Sequence, residues 1–395
     1  MISDNDGEDS SSCSIRRVQP EPRCARRLYT HLLLLWAAAA SGMVSARQGY
    51  TFYHLGFAGV SSGVHQPLSI SSVPQSGSIG TVIGYDDSFS WYHSFSWVGN
   101  TLSPLFYSGR VAPTAISPNG AYASLGGAPG PDCYAGTGFV PQQAFNVWVP
   151  GGNQCVTFWG VNNNNVFVGD NQLTVNGQSV TQVIWVSCTY NSGCSSIYYD
   201  PSSLGGYYSS ARAINNLNEL VGVATTGQVY SRAFYSKPGS SLLQDFDPKH
   251  PAYNSQANAI NDSGTAVGTI LSGPCPPFPT SCVNSSLNTY PVMFGAGGVT
   301  SLGSLGGTQG AALSVNSAGA VVGWSTVSSG QPHGFLYTGG AMIDLNTVPL
   351  YDTSNQRVLN WTITEADGIN DVGQIVGRAI SSISRKEEVV VLVTN

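Results

Sequence analysis

Charged residues are scarce in this sequence. They make up 9% of its 395 residues, against about 25% in an ordinary soluble domain. This scarcity excludes a coiled coil or another long-helix protein, which would be rich in Glu, Lys and Arg. The formal net charge is −6 at pH 7, so the basic surface of a nucleic-acid-binding domain is absent. Aromatic residues nevertheless reach 10%, which excludes an intrinsically disordered chain.

The motifs of common catalytic and cofactor sites are also lacking. The sequence contains no EF-hand loop and no phosphate-binding glycine loop. Its histidines are too widely spaced to predict a set of converging metal ligands. We therefore expect no catalytic residue, no metal and no cofactor. A Ser-His-Asp triad assembled from distant parts of the chain stays open, because serine is abundant.

The first 46 residues are typical of a secretory signal. Basic residues at 23–27 precede an apolar run at 32–40, and Val44-Ser45-Ala46 is a small-x-small cleavage site. The apolar run is too short to cross a membrane comfortably. We predict a signal peptide with a polar extension over residues 1–46, a single repeat domain over 47–395, and a secreted or cell-surface location, extracellular or periplasmic. An uncleaved membrane anchor is the alternative.

Six of the eight cysteines follow this signal. An even number of cysteines in an exported chain predicts disulfides, although six cysteines allow 15 pairings. The spacings favour pairs of cysteines that are neighbours along the chain. The predicted pairs are Cys133–Cys155, Cys188–Cys194 and Cys275–Cys282. A zinc site is the alternative, but no CxxC pair or histidine cluster accompanies these cysteines.

One segment recurs along the chain and is clearest at residues 259–268, Ala-Ile-Asn-Asp-Ser-Gly-Thr-Ala-Val-Gly. Asparagine favours the first position of a type I turn, and glycine at the fourth position readily adopts a left-handed conformation. Each copy therefore predicts a tight hairpin, with the asparagine as a turn residue and the closing glycine at a point of close backbone packing. The turns are expected near residues 80, 120, 165, 218, 264, 319 and 373.

A second hairpin motif follows the first, as in His-Gly-Phe-Leu-Tyr at residues 333–337 and Asp-Leu at 344–345. Four short strands in about 50 residues, repeated seven times, are typical of a β-propeller. We predict an all-β fold of seven blades of four antiparallel strands. Residues 50–55 would supply the missing strand of the last copy and close the ring, which removes exposed sheet edges. An open stack of β-units is the alternative.

The two motifs together resemble a known repeat. Ile-Asn-x-x-Gly-x-Val-Val-Gly followed by His-x-Phe-Leu-Tyr and Asp-Leu, clearest at residues 213–246 and 314–345, resembles the HAF-type extracellular repeat of bacterial secreted proteins. The resemblance implies a secreted, β-rich repeat protein, and it implies no activity. His93 and His333 occupy equivalent repeat positions, as do Asp245 and Asp344, so we interpret these residues as structural.

Aromatic pairs in or beside the connections are the candidate binding residues, because aromatic faces stack on sugars and anchor protein partners. They are Trp91, Tyr92, Tyr198, Tyr199, Tyr207 and Tyr208. Packing between blades is the alternative role for these side chains.

These features favour a secreted, non-catalytic propeller that binds an extracellular glycan or a surface protein. It would bind no nucleic acid and would not stay inserted in a membrane after signal cleavage. This hypothesis expects no carboxylate pair in the central funnel. A structural surface or filament subunit is one alternative. A polysaccharide hydrolase or lyase is another, and it would need two carboxylates roughly 5–10 Å apart in a cleft.

Overall fold

The computed structural model describes residues 49–55, 65–71, 79–89, 91–98, 101–104, 113–117, 120–124, 137–140, 143–146, 156–189, 191–195, 198–199, 203–227, 230–237, 240, 242–248, 253–271, 288–295 and 298–395. Within these residues every regular element is a β-strand, so the all-β prediction is confirmed. The predicted signal peptide lies outside the described residues, as do Cys133, Cys155, Cys275 and Cys282.

The described strands, in chain order, are β1 Tyr50–His54, β2 His65–Ile70, β3 Val82–Phe89, β4 Trp91–Val98, β5 Thr101–Pro104, β6 Pro113–Ile116, β7 Tyr122–Ser124, β8 Thr137–Val140, β9 Gln143–Asn146, β10 Val156–Val161, β11 Val166–Val175, β12 Gln178–Thr189, β13 Gly193–Cys194, β14 Tyr198–Tyr199, β15 Gly205–Ile214, β16 Leu220–Thr226, β17 Ser231–Ser236, β18 Gln244–Asp245, β19 Asn254–Ile260, β20 Ala266–Leu271, β21 Thr289–Gly295, β22 Gly298–Ser301, β23 Gly306–Val315, β24 Val321–Val327, β25 Pro332–Thr338, β26 Ala341–Asp344, β27 Leu350–Tyr351, β28 Trp361–Ile369, β29 Ile375–Ser381 and β30 Glu387–Thr394.

The strands form repeated antiparallel sheets in which consecutive strands are neighbours. β2–β5, β6–β9, β19–β22 and β23–β26 are separate four-stranded sheets. A larger sheet joins β10–β14 to β15–β18 through one parallel contact between Thr181 and Tyr208. This repetition of small antiparallel sheets is propeller-like.

The first and last described strands lie in the same sheet. β1 pairs antiparallel with β30, from Tyr50 opposite Thr394 to His54 opposite Val390. The order of this sheet is β27-β1-β30-β29-β28, so β1 occupies the place of a fourth strand beside three C-terminal ones. Phe52 is buried there and packs in one cluster with Leu392 and Ile375.

The hydrophobic core lies between successive sheets. The phenylalanine of the second hairpin motif is completely buried in three copies, as Phe234, Phe294 and Phe335. One cluster shows the pattern, because Val221 of β16 packs with Ala257 and Phe294 of the next sheet. Burial of each such phenylalanine contributes roughly 2–3 kcal/mol, which explains why the motif retains this residue.

The first-hairpin turns have the backbone conformation that the motif predicts. The left-handed residues, with φ between 55° and 88°, are Gly120, Asn165, Asn218, Gly264, Gly319 and Gly373. In two of these turns asparagine takes the place of glycine, and asparagine tolerates this conformation better than most residues do. The first copy departs from the prediction of a tight hairpin. Ile70 pairs with Val82, so a connection over residues 71–81 replaces the short loop expected near Gly80.

One predicted disulfide lies in the described part of the chain. Cys188 of β12 and Cys194 of β13 are opposite each other in the antiparallel pair and are bonded. This pairing of neighbours along the chain is confirmed.

Candidate binding cavity

The first strands of the sheets together line a shared cavity of about 500 Å³. Residues of β2, β6, β10, β15, β19, β23 and β28 all contribute to its wall. This volume lies within the range of roughly 300–1,000 Å³ that is typical of small-molecule sites.

β-bulges place individual side chains in this wall. In each first strand the pairing register skips the residue that lies two positions before the end of the strand, and a bulge re-aims the side chain of this extra residue. The skipped residues that line the cavity are Thr114, Trp159, Arg212, Asn258, Leu313 and Asp367. Six repeats thus each present a bulged side chain to the cavity, and this side chain differs from repeat to repeat.

The closing glycine of the motif makes room for the bulge. A Cβ atom at Gly222 would lie 2.0 Å from the carbonyl oxygen of Ser210, and one at Gly323 would lie 2.0 Å from that of Ala311. No side chain fits at these distances, so the predicted close backbone packing is confirmed.

The motif asparagines form hydrogen bonds in two directions. Within its own turn, the Oδ1 atom of Asn215 accepts hydrogen bonds from the backbone N–H groups of Leu217 and Glu219. Its Nδ2 atom donates to the carbonyl oxygen of Asn261 in the next sheet at 3.0 Å. The same link between sheets joins Asn162 to Asn215, Asn261 to Asn316, Asn316 to Asn370, and Asn370 to Ser71. The asparagine is therefore a turn residue, as predicted, and also connects successive sheets.

Trp159 and Arg212 form one side of the cavity. The guanidinium carbon of Arg212 lies 4.2 Å from the centroid of the Trp159 ring. The indole Nε1 of Trp159 donates to Asp170 Oδ2 at 2.5 Å, and Ser210 Oγ donates to the same oxygen at 2.6 Å. Burial raises the pKa of Asp170, although both hydrogen bonds and the positive charge of Arg212 oppose this rise. The buried carboxyl thus fixes the orientation of the indole.

Glu365, Asp367 and Arg378 form a second polar group in the wall. Arg378 and Glu365 are joined by an ion pair. Asp367 Oδ2 lies 3.8 Å from Arg378 Nε and is buried without a hydrogen-bond partner. Burial, together with the nearby charge of Glu387, raises the pKa of Asp367 well above its ordinary value. Two carboxyl groups in different environments thus face the same cavity, which the hypothesis of a non-catalytic protein did not expect.

Of the six aromatic residues predicted from the sequence, only Tyr207 and Tyr208 have side chains within the described part of the structure. Neither belongs to the described residues that line the cavity. Tyr207 is 60% exposed, whereas Tyr208 is half-buried, and burial raises the pKa of its hydroxyl near Arg212 and Asp170. The backbones of the other four residues lie in β4 (Trp91 and Tyr92) and β14 (Tyr198 and Tyr199), and their side chains are outside the described part of the structure.

Sequence reasoning missed Trp159, Arg212 and Asp367 as residues of a shared site. A signal for them exists in the sequence. Each lies directly before a three-residue segment that consists of Ala or Gly, then Ile or Val, then the motif asparagine. Recognising this signal requires knowledge of the bulge, which the pattern of hydrophobic residues does not reveal.

The residues interpreted as structural lie in strand-to-strand contacts. His333 Nδ1 lies 2.8 Å from Asp344 Oδ2, and the equivalent Arg232 contacts Asp245 at 3.0 Å. These pairs join the third and fourth strands of their sheets, so the structural interpretation of Asp245, Asp344 and His333 is confirmed. The side chain of His93 is outside the described part.

Among the described residues, no three His, Cys, Asp or Glu side chains converge as a metal-ligand set. The same residues include no helix that is long and apolar enough to cross a membrane.

No protein-family model matches the chain, and no curated protein matches it. Among solved structures, it is similar to a prolyl endopeptidase with a TM-score of 0.45 and 9% identity, covering 88% of this chain and 50% of that one. It is also similar to TolB from Acinetobacter baumannii with a TM-score of 0.31 and 10% identity, covering 84% of this chain and 78% of that one. The chain thus spans about half the length of the endopeptidase. Similarities this distant carry no conclusion about its function.

Proposed function

We propose that the chain is an exported, non-catalytic propeller that binds an extracellular glycan in its central cavity. The observation that carries this proposal is the cavity itself, whose wall includes one bulged residue from each of six repeats. Such a wall combines a fixed indole, Trp159, with hydrogen-bonding side chains such as Asn258 and Gln256. Sugars need both types of contact, an aromatic face for stacking and polar groups for their hydroxyls.

The proposal includes a closed ring of seven blades. Two sets of contacts between the ends of the chain support closure. β1 pairs with β30, and Asn370 donates to the carbonyl of Ser71 while the Gly80 N–H donates to Gln374 Oε1 at 2.9 Å. The hydrogen bond of Asn370 therefore connects the last described repeat to the first one.

Export through the predicted signal peptide belongs to the same proposal. The Cys188–Cys194 disulfide supports it, because disulfides persist mainly in oxidising compartments. Membership of the HAF-type repeat family stays a proposal that rests on the motifs. Among the aromatic residues predicted from the sequence, the exposed Tyr207 stays a candidate contact for a longer glycan.

A glycan array probed with the purified protein tests this function, with reducing-end release assayed on the same sugars. We expect retention without release, and a loss of at least about tenfold in affinity for Trp159→Ala, since stacking contributes more than 1 kcal/mol. Trp361→Ala is the matched control, because Trp361 packs against Phe52 and His54 outside the cavity wall. If no glycan binds, or if both variants bind like the wild type, the proposal is wrong.

A polysaccharide hydrolase is a second candidate, favoured by the carboxyl groups of Glu365 and Asp367 in one cavity. A carboxyl with a raised pKa can act as a general acid, and catalysis requires a partner carboxylate nearby. Release of reducing ends that is abolished in Asp367→Asn would establish this activity and exclude the non-catalytic function. Binding without any release would exclude the hydrolase.

A further inference from the structure

The two arginines of the cavity wall differ in their counter-charges. Arg378 is paired with Glu365. Arg212 forms no ion pair with any described residue within 4 Å, and its Nε atom is buried without a hydrogen-bond partner. The guanidinium of arginine stays charged in proteins, so the Arg212 side of the cavity carries a cation that no carboxylate balances directly.

The surroundings of Arg212 hold it in place without a direct ion pair to a described residue. Its guanidinium stacks near the Trp159 ring, and the hydroxyl of Tyr208 is hydrogen-bonded to it. Asp170, whose carboxyl interacts electrostatically with Arg212, uses Oδ2 to accept from Trp159 and Ser210. Contact with an aromatic face occupies the flat side of a guanidinium and leaves the N–H donors at its edge available.

The remaining acids of the wall are engaged elsewhere. Glu365 and Asp367 face Arg378. Asp262 accepts hydrogen bonds from the backbone and side chain of Asn216, and Asp371 accepts one from Ser317, both on exposed turns. A partly buried guanidinium without a carboxylate in direct contact is unfavourable. A carboxylate on the ligand would remove this cost and match the planar fork of donors.

We propose that Arg212 is the anion subsite of the cavity, and that the ligand is an acidic glycan whose uronic acid carboxylate accepts hydrogen bonds from this guanidinium. The inference rests on the proposed glycan-binding function and names the class of glycan. Trp159 acts as the residue that positions Arg212, and Asp170 in turn positions Trp159.

Isothermal titration with matched oligosaccharides tests the inference on the full chain. The probes are oligomers of galacturonate, glucuronate and mannuronate, each beside the same oligomer after reduction of its carboxyl groups to neutral alcohols. We expect at least one acidic oligomer to bind about tenfold tighter than its reduced counterpart, the size of a charge-assisted hydrogen bond. A sulfated neutral oligomer serves as a third probe and distinguishes carboxylate recognition from a general preference for anions.

Variants at Arg212 complete the test. Arg212→Gln is expected to abolish the preference for the acidic oligomer, and Arg212→Lys to retain only part of it, because lysine keeps the charge without the planar fork. Arg357→Gln is the matched control, since Arg357 also contacts an aromatic ring, that of Tyr351, but outside the cavity wall. A thermal melt of each variant establishes that it is folded, and Arg212→Lys keeps the test decisive if Arg212→Gln does not fold.

The outcomes separate the two proposals. Equal affinity for the acidic and reduced oligomers, tighter binding of the sulfated oligomer, or an undiminished preference in Arg212→Lys would overturn the acidic-glycan inference while glycan binding stands. Failure of every oligomer to bind the wild type, together with an empty glycan array, would overturn both.

Discussion

Asp367 is a bulged residue whose carboxyl lies in an unfavourable environment in the cavity wall. Its side chain is 13% exposed, its Oδ2 atom has no hydrogen-bond donor, and the adjacent Arg378 is already paired with Glu365. Burial disfavours the charged form of Asp367 more strongly than the neighbouring guanidinium of Arg378 favours it. An environment of this kind reduces stability and is commonly found at functional sites.

The pH dependence of unfolding should reveal this environment. The folded-state pKa of Asp367 lies above its ordinary value of 3.8, so the folded protein holds this proton more tightly than the unfolded chain. The contribution of Asp367 to stability therefore falls as the pH rises from about 3.8 to the folded-state value, by at most about 1.4 kcal/mol per pH unit. Asp367→Asn removes this loss.

Urea unfolding of the wild type and Asp367→Asn between pH 3 and pH 7 is the measurement. We expect the variant to gain stability relative to the wild type as the pH rises. A difference that is independent of pH would show that burial does not raise the pKa of this carboxyl.

Sequence reasoning succeeded at residues with a repeated local role. The asparagine and glycine of the first hairpin were assigned correctly, because turn conformations depend on the residues of the turn itself. It did not find the residues of the cavity wall. Tyr207 and Tyr208 stood out as an aromatic pair, while Trp159 and Arg212 are 53 residues apart in the printed sequence and meet only through packing of adjacent sheets.

At the level of the strand pair, the bulge and the glycine opposite it act together to place a side chain in the cavity wall. The register shift between Ala211 and Ala213 turns Arg212 toward the cavity. Gly222, directly opposite Ala211, allows the bulged strand to approach. The glycine therefore contributes to the site indirectly, by permitting the conformation that exposes the variable residue.

Substitution of Gly222 by alanine should be strongly destabilising. A Cβ atom there would lie 2.0 Å from the Ser210 carbonyl, so the backbone must move, at a cost of about 3 kcal/mol or more. Gly295→Ala is the matched control within a strand, because nothing lies within 4 Å of a Cβ atom at Gly295. We expect the control to unfold within about 0.5 kcal/mol of the wild type. Equal stabilities of the two variants in urea would contradict the role assigned to Gly222.

The disulfide stabilises one sheet locally. Cys188 and Cys194 close a loop with a sequence separation of 6 residues, and cross-linking so short a loop is worth about 2 kcal/mol in the chain-entropy description. The double variant Cys188→Ser/Cys194→Ser should lose about this much free energy of unfolding. The measurement is urea unfolding with and without a reductant. If Cys188–Cys194 carries no stability, the variant and the oxidised wild type will have the same midpoint.

At the scale of the whole molecule, the contact between β1 and β30 brings the two ends of the described chain together. Within β1, Phe52 is 4% exposed and lies in a core cluster with residues of β28, β29 and β30. His54, in the same strand, is exposed and contacts Glu388 at 3.2 Å. The strand thus offers a buried and an exposed position for comparison.

Phe52→Ala should cost about 3–5 kcal/mol, the usual loss when a buried phenylalanine is truncated. His54→Ala should cost less than about 1 kcal/mol, because an exposed ion pair contributes little. Thermal and urea unfolding measure both, and size-exclusion chromatography shows whether Phe52→Ala exposes the edge of β30 to association. Comparable small losses in the two variants would mean that β1 contributes little to the stability of the fold.

The sequence by itself determined the repeated hairpins, the all-β class and the local Cys188–Cys194 pairing, because each depends on residues that are close along the chain. Only the tertiary structure decided which side chains share the cavity. The bulges select Trp159, Arg212 and Asp367 from different repeats, and the packing of the sheets brings their side chains into one wall. A repeat pattern specifies the conformation of each copy, whereas the chemistry of the centre depends on the residues at which copies differ.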